Sequence, residues 1–432
     1  MKISLIGCGY VGLVTGSCLA ELGNKVICVD NDSKKIARIK QGKIPIYEPG
    51  LEELILNNVK KKRLRFTSSI QEGVKYSEII FIAVGTPPLE NGEADLTGIE
   101  NVARHIALNL SGYRLIVEKS TVPVETGEWV KKTISTYNKH KAEFDVASNP
   151  EFLREGSAIE DFMHPDRIVI GVESKRARDL LVNLYKPLNA PLVITNIRSA
   201  ELIKHASNAF LATKISFINA IAYICDKVGA DVEEVARGMG LDKRIGQSNL
   251  SAGVGYGGSC FPKDLDAFIA ISERIGYNFD LLKAVRNINE EQKHFILKKV
   301  RDFLWVVKDK TIAVLGLSFK PDTDDIRNAP SIDIIKELLH EGVKIKAYDP
   351  QAMNKAKEVL DKAAFCKDPY EACKGADCLL VITEWNEFKE LDFKKVKHLL
   401  KRPLIIDGRN IYEPKSMKEK GFTYVGIGRG RH

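Results

Sequence analysis

The 432-residue chain is short of several things, and each shortage narrows what it does. No apolar run reaches the roughly 18 residues that a membrane helix needs, so no membrane partner is expected. The first residues, Lys2-Ile3-Ser4-Leu5-Ile6, read directly as a strand, and no signal peptide is expected. None of the eight cysteines forms Cys-x-x-Cys or stands with histidine at metal-ligand spacing, so no metal site is expected. Cys8, Cys18, Cys28, Cys225, Cys260, Cys366, Cys373 and Cys378 read instead as mostly unpaired thiols in a reducing cytoplasm. The one dense basic run, Lys60-Lys61-Lys62-Arg63, lacks interleaved aromatics. It reads as a solvated helix end or loop, and no nucleic-acid partner is expected. A formal charge of +8, spread along the chain, suits small anionic ligands. Hydrophobic content of 44% and charged content of 28% are those of an ordinary soluble protein of two or three domains.

What is present centres on Gly257-Gly258-Ser259-Cys260-Phe261-Pro262-Lys263-Asp264. Gly253, Gly255, Gly257 and Gly258 crowd the approach to the thiol, so the backbone turns tightly and admits a ligand. Lys263 favours the nucleophilic thiolate, Pro262 stiffens the exit, and Asp264 can orient a water. A structural cysteine normally sits in apolar surroundings, and this polar setting points away from one.

The N-terminus carries a second constellation. Ile3 to Ile6 runs into Gly7-Cys8-Gly9-Tyr10-Val11-Gly12, a helical pattern follows to Leu22, and Val26-Ile27-Cys28-Val29 closes on Asp30. Strand, G-x-G-x-x-G, helix, strand and acid make a dinucleotide-binding unit. The glycines admit the pyrophosphate, and the helix N-terminus offers it free N–H groups. Asp30 is placed to accept both ribose hydroxyls and repels a 2′-phosphate, so the expected cofactor is NAD rather than NADP. Lys35 reads either as an adenosine contact or as a solvated helix lysine. Apolar strands also end at Thr86 and Thr121, each either a cofactor contact or a helix N-cap. Two carboxylates and an arginine in Asn149-Pro150-Glu151-Phe152-Leu153-Arg154-Glu155-Gly156 read as a salt-bridged loop at a strand exit.

A helical pattern from about Ser199 to Val228 is long enough to form a spine of about 45 Å between domains. Lys204 and Asn208 share one face of it, and the apolar neighbours of Lys204 suit a pocketed lysine that acts as a base. A second strand-turn unit starts at Lys310, but only Gly316 remains of a glycine fingerprint, so a second NAD is not expected. Lys320, Arg327 and Arg409 offer cations there to a phosphate-bearing ligand. The expected fold is α/β: two Rossmann-like doubly wound domains, residues 1–196 and 301–432, joined by a long central helix within a helical region, 197–300, that carries Cys260.

Taken together, these motifs, with Glu118-Lys119-Ser120-Thr121-Val122-Pro123 and Ser318-Phe319-Lys320-Pro321, resemble the nucleotide-sugar 6-dehydrogenase family over nearly the whole chain. The resemblance implies a four-electron oxidation of UDP-glucose to UDP-glucuronate with NAD, in a homodimer paired through the central helix. It implies that Cys260 captures the aldehyde, with Lys204 or a water held by Asp264 as the first base. Glu151 or Asp264 then assists hydrolysis, Lys204 and Asn208 stabilise an oxyanion, and Thr121 holds a water. Gly7, Gly9, Tyr10, Val11, Gly12, Asp30, Lys35, Thr86, Thr121, Glu155, Lys263 and Arg327 are implied at the cofactor. Phe152, Leu153, Arg154, Glu155, Lys204, Asn208, Arg244 (across the dimer), Asn249, Leu250, Ser251, Ala252, Gly253, Gly257, Lys320 and Arg409 are implied at the sugar nucleotide. Asn249 stands where the family often has an aromatic residue. UDP-N-acetylmannosamine and GDP-mannose are the alternative substrates.

Overall fold

The structure, a computed structural model, describes residues 1–430. The chain forms two units: Met1–Ser207 with Asp266–Ile275, and Asn208–Leu265 with the remainder from Gly276.

The first unit is built on an eight-stranded sheet of β1 (Lys2–Ile6), β2 (Lys25–Val29), β3 (Leu64–Thr67), β4 (Ile79–Ile82), β5 (Arg114–Glu118), β6 (Phe144–Ser148), β7 (Ile168–Val172) and β8 (Leu192–Thr195), in the order β3-β2-β1-β4-β5-β6-β7-β8. Its central strands are unbroken apolar runs because helices cover both faces; all four residues of β4 are buried. The helix Tyr10–Glu21 is buried from Gly12 to Ala20. Small residues let it lie close on the sheet: a Cβ added at Gly16 would sit 2.6 Å from the sulfur of Cys28. The doubly wound sheet expected from sequence is present, and its far edge departs from the parallel sense. β7 runs antiparallel to β6, with Ala147 opposite Val172 and Ser148 opposite Gly171, and β8 runs parallel to β7, so the last two strands are reversed relative to the first six.

The second unit holds a six-stranded, all-parallel sheet of β9 (Thr311–Leu315), β10 (Lys344–Tyr348), β11 (Ala364–Phe365), β12 (Cys378–Val381), β13 (Leu404–Asp407) and β14 (Thr423–Val425), in the order β11-β10-β9-β12-β13-β14. One face packs on Ile218, Ala222 and Cys225 of the central helix and on Ile296, Leu297 and Val300 of the helix Asp280–Leu304.

The central helix spans Ile197–Val228, two residues longer at its start than the sequence pattern predicts. Its 32 residues also correct the statement about apolar runs: one 18-residue window has a mean hydropathy of 1.3, enough by length and composition to cross a membrane. The polar residues along it are nevertheless used inside the protein. His205 contacts the Val122 carbonyl, Ser216 donates to the Val285 carbonyl, and Asn219 accepts from the Gly253 amide. That is the pattern of a core helix.

Candidate active site

The dinucleotide cradle stands at the carboxyl ends of β1, β2 and β4. A cleft of about 600 Å³ is lined there by Gly7, Gly9, Asp30, Lys35, Val84 and Gly85, among others. Gly12 is obligatory: a Cβ at that position would lie 1.8 Å from the Gly7 carbonyl oxygen. Asp30 caps β2 from within the cleft and accepts the Cys8 and Asp32 amides at 2.9 and 3.0 Å. Lys35, read from sequence as either an adenosine contact or a solvated helix lysine, forms an ion pair with Asp30 at 2.8 Å. Burial raises the Asp30 pKa, but Lys35 and the two amides outweigh it, and the carboxyl is held below its ordinary range. A carboxylate that stays ionised beside an open cleft, with a glycine turn at a helix N-terminus, fits the NAD expected from sequence. Thr86 donates to the Thr121 carbonyl at 3.0 Å, which brings the two predicted threonines together.

Glu48 was not singled out in the sequence, yet it organises the neighbouring loop. Its buried carboxylate bonds the Tyr10 hydroxyl and accepts the Gly156 and Ala158 amides at 2.6 and 2.7 Å. The loop Glu151–Gly156 is thereby tied to the glycine turn through Tyr10. Arg154 is turned outward and paired with Asp161. The loop is salt-bridged as expected, with Arg154 paired on the outside and Glu151 facing inward.

Glu151 lies in the first unit's second constellation. Its carboxylate meets the Lys204 amine at 3.1 Å and accepts the Leu153 amide at 2.5 Å, with both charged groups buried. The Phe152 ring lies 5.3 Å from that amine and carries Arg167 on it at 3.6 Å. Lys119 stands nearby and donates to Asn149 at 3.0 Å. Two further acids escaped the sequence reading. Glu118, the last residue of β5, is fully buried, and burial followed by Glu201 pushes its carboxyl far up. Burial raises Glu201 to about 7, against the pull of the Gly127 and Glu125 amides that it accepts at 2.8 Å each. The signal was present as an acid closing an apolar strand, Leu115-Ile116-Val117-Glu118.

The thiol turn lies in the second unit. The structure departs from the sequence reading in one respect: the helix begins at Phe261 and runs to Arg274, so Pro262, Lys263 and Asp264 form its first turn rather than a loop exit. Cys260 therefore stands immediately before a helix N-terminus, where unpaired N–H groups and the helix dipole favour an anion. Of the eight cysteines, none in a disulfide, Cys260 alone is not buried. Asp264 is buried, accepts Asn208 Nδ2 at 2.6 Å and pairs with Lys263 at 2.6 Å. The preceding turn is bolted in place: Asn289 accepts the Tyr256 amide, Gln292 donates to the Gly253 carbonyl, and the Gly258 amide reaches the Arg327 carbonyl. A Cβ at Gly257 would sit 2.2 Å from the Asn328 carbonyl oxygen.

The remaining predicted ligand contacts of this unit are spread around its sheet. Arg409 is held beyond β13 by the Ile382 and Phe319 carbonyls at 2.8 and 3.0 Å and by Glu384 at 3.1 Å. Lys320 lies over the Phe319 ring at 5.7 Å, and Arg327 is paired with Asp325. Leu250 and Ala252 send their side chains into the core, so only their backbone remains for a ligand. Asn249 adopts φ 64°, a left-handed turn that asparagine tolerates better than an aromatic residue does. Arg244 is exposed and paired with Asp242. Among the described residues no group of three or more His, Cys, Asp or Glu side chains is placed to hold a metal.

Comparison with known proteins follows this geometry closely. Residues 1–189, 198–291 and 313–414 match, in turn, the NAD binding domain, central domain and UDP binding domain of the UDP-glucose/GDP-mannose dehydrogenase family. The chain is 52% identical over 429 residues to UDP-glucose 6-dehydrogenase TuaD of Bacillus subtilis (strain 168), a match covering 99% of this chain and 93% of that one. A solved UDP-glucose dehydrogenase from Pyrobaculum islandicum superposes with a TM-score of 0.93 at 39% identity, covering 99% and 97% of the two chains. The UDP-D-ManNAc dehydrogenase of Pyrococcus horikoshii gives 0.87 at 27% identity, covering 99% of each. From its glycine turn to its thiol helix, this chain belongs to the UDP-glucose/GDP-mannose dehydrogenase family.

Proposed function

We propose that the protein oxidises the C6 alcohol of UDP-glucose to the carboxylate of UDP-glucuronate, through a thioester on Cys260. The single observation that carries this reading is the one accessible thiol, set at a helix N-terminus beside a buried Asp264 and Lys263. Relatives whose names specify UDP-glucose support this substrate over UDP-N-acetylmannosamine, since the solved UDP-glucose enzyme is the more similar of the two, at 39% against 27% identity.

NAD supplies hydride acceptance, one molecule for each of two oxidations. Gly7, Gly9, Tyr10, Val11, Gly12, Asp30, Lys35, Thr86, Glu155, Lys263 and Arg327 are the residues we assign to holding it. In the first oxidation Lys204, or a water held by Asp264, takes the hydroxyl proton as the C6 hydride leaves. The Cys260 sulfur then bonds to the aldehyde carbon, and its proton passes to the oxygen. A thiol suits this step because the reactive aldehyde stays tethered between oxidations. Loss of a second hydride and the hydroxyl proton gives the thioester. Water aligned by Thr121, with Glu151 or Asp264 accepting its proton, cleaves the C–S bond and returns the thiol. The sum is one alcohol, two NAD and one water to one carboxylate, two NADH and three protons. Asn208 and Lys204 stabilise the negative oxygen. The Phe152–Glu155 loop, Arg244, the Asn249–Gly253 loop, Gly257, Lys320 and Arg409 hold the sugar nucleotide.

We also assign a homodimer paired along the central helix. Phe210, Phe217, Tyr223, Ile224 and Val228 are 66, 48, 51, 52 and 69% exposed there, an apolar stripe suited to a self-complementary contact. Eight cysteines outside any disulfide suit a reducing cytoplasm.

The test is to offer UDP-glucose, UDP-N-acetylmannosamine and GDP-mannose with NAD and to count NADH per sugar consumed. Two NADH per UDP-glucose are expected. Cys260→Ser should lower UDP-glucuronate release by at least about 10³-fold, while full release by that variant would sink the covalent route.

A further inference from the structure

The Glu151–Lys204 pair has a third member. Lys119 follows β5 directly and is 5% exposed. Its amine donates to Asn149 Oδ1 at 3.0 Å. That oxygen also accepts the Tyr185 hydroxyl at 2.5 Å, and Asn149 Nδ2 donates to the Val169 carbonyl at 2.7 Å, so the amide is fixed in orientation. The Tyr185 ring lies 6.0 Å from the Lys119 amine. Among the described residues Lys119 makes no ion pair. The carboxylate of Glu151, the nearest candidate, is already engaged by Lys204 at 3.1 Å and by the Leu153 amide.

Two amines and one carboxylate in a dry pocket cannot all hold their charges comfortably, because like charges there repel with little screening. The groups that face Lys119 are Glu151 from the loop after β6, Lys204 from the central helix and Tyr185 from the helix Lys175–Tyr185. Arg167 and Lys204 both lie close to the Phe152 ring, at 3.6 and 5.3 Å from its centre, and Glu118 is engaged with Glu201. Burial first, and Lys204 against the opposing pull of Glu151, lower the Lys119 amine to about 8.

We propose that Lys119 is a positioning residue for the oxidation: anchored on Asn149, it acts through its like charge on Lys204 and keeps that amine ready to accept the C6 hydroxyl proton. This rests on the reading of Lys204 as first base. A lysine serving only the packing of Asn149 and Tyr185 would have no influence on the protonation of its neighbour.

The experiment is the pH dependence of kcat for UDP-glucose-dependent NADH formation, from pH 6 to 10, in the full chain and in Lys119→Met, Lys119→Gln and Lys119→Arg. Removing the charge lets Lys204 keep its proton longer. The acidic limb of the Met and Gln profiles is therefore expected to move up by about one pH unit. Lys119→Arg keeps a permanent charge and is expected to hold the limb at or below its wild-type position. KM for both substrates should change less than about threefold. Gln retains a donor to Asn149 and serves if Met fails to fold. Profiles of Met or Gln that superimpose on wild type, or an Arg profile that moves with them, overturn the inference. If wild type makes no NADH from UDP-glucose, the proposed reaction itself has failed. If wild type turns over but Lys204→Ala keeps both its rate and its acidic limb, the assignment of the base has failed.

Discussion

The two sheets follow the same path. In each, the first strand lies inside, the second and third step outward to one side, and the fourth, fifth and sixth step to the other: β3-β2-β1-β4-β5-β6 in one unit and β11-β10-β9-β12-β13-β14 in the other. Both first strands end on a glycine at positive φ, Gly7 at 108° and Gly316 at 98°. Both second strands end on a buried acid, Asp30 and Asp349. The chemistry then diverges within three residues. After Gly7 a helix begins at Tyr10, so its N-terminus points free amides at the cleft. After Gly316 the next helix begins only at Pro330, and the intervening loop folds back on the sheet. Asp349 shows the consequence. It accepts the Leu317, Ser318, Gln351 and Ala352 amides, the Ser318 hydroxyl and the Trp385 indole. An acid whose oxygens are spent on the protein has nothing left for a ribose. The same topology thus yields a dinucleotide cradle in one case and a closed turn in the other, and side chains decide which.

The comparison is broken most severely at Gly12. Gly12→Ala places a methyl on the Gly7 carbonyl and should weaken NAD by about 100-fold or more in calorimetric titration, a loss of roughly 3 kcal/mol. Gly316→Ala meets Thr383 at 2.4 Å instead. It should lower the melting temperature and leave the NAD dissociation constant within a factor of two. If Gly316→Ala weakened NAD as much, the second turn would be a cofactor site after all.

The two acids allow a finer test. Asp349→Ala orphans several buried donors and should cost about 3 kcal/mol of stability, measured by denaturant unfolding, without touching NAD affinity. Asp30→Ala should do the reverse. It removes a charge-assisted acceptor, so NAD should weaken by about 10–30-fold while UDP-glucose affinity holds. Equal loss of both ligands in Asp30→Ala would undo the assignment of that carboxylate.

Much of this was legible in the sequence because it is local. Strand, glycine turn, helix and acid between residues 3 and 30 form one contiguous signal. The lost fingerprint after Gly316 was legible too, as an absence. What stayed hidden depends on contacts distant in sequence. Glu48 reads as an ordinary acid before Pro49-Gly50, and only folding brings the Gly156 amide to it across 108 positions. Helix starts were masked where proline and glycine crowd them. Phe261-Pro262 looked like a loop exit, yet proline suits the first turn of a helix because its missing N–H has no partner there anyway. The antiparallel β7 was not predictable, since an apolar run carries no sign of its direction.

The smallest expected effect concerns two buried acids of the first unit, the neighbouring carboxyls of Glu118 and Glu201. The pKa of Glu201 rises in the folded chain from an ordinary 4.5 to about 7, and that of Glu118 rises further, mainly through burial. A carboxyl with a raised folded-state pKa binds its proton more tightly when folded. Its contribution to stability is therefore complete below about pH 4.5 and is lost as pH climbs through about 7. Glu118→Gln should remove much of that dependence, because the amide donates to Glu201 without a proton to lose. Between pH 5 and 8 the unfolding free energy of wild type should fall relative to the variant by about 1 kcal/mol. Chemical denaturation at each pH reads this difference directly. Parallel curves would mean that the two acids do not share a proton, and that the Glu125 and Gly127 amides alone hold Glu201 in place.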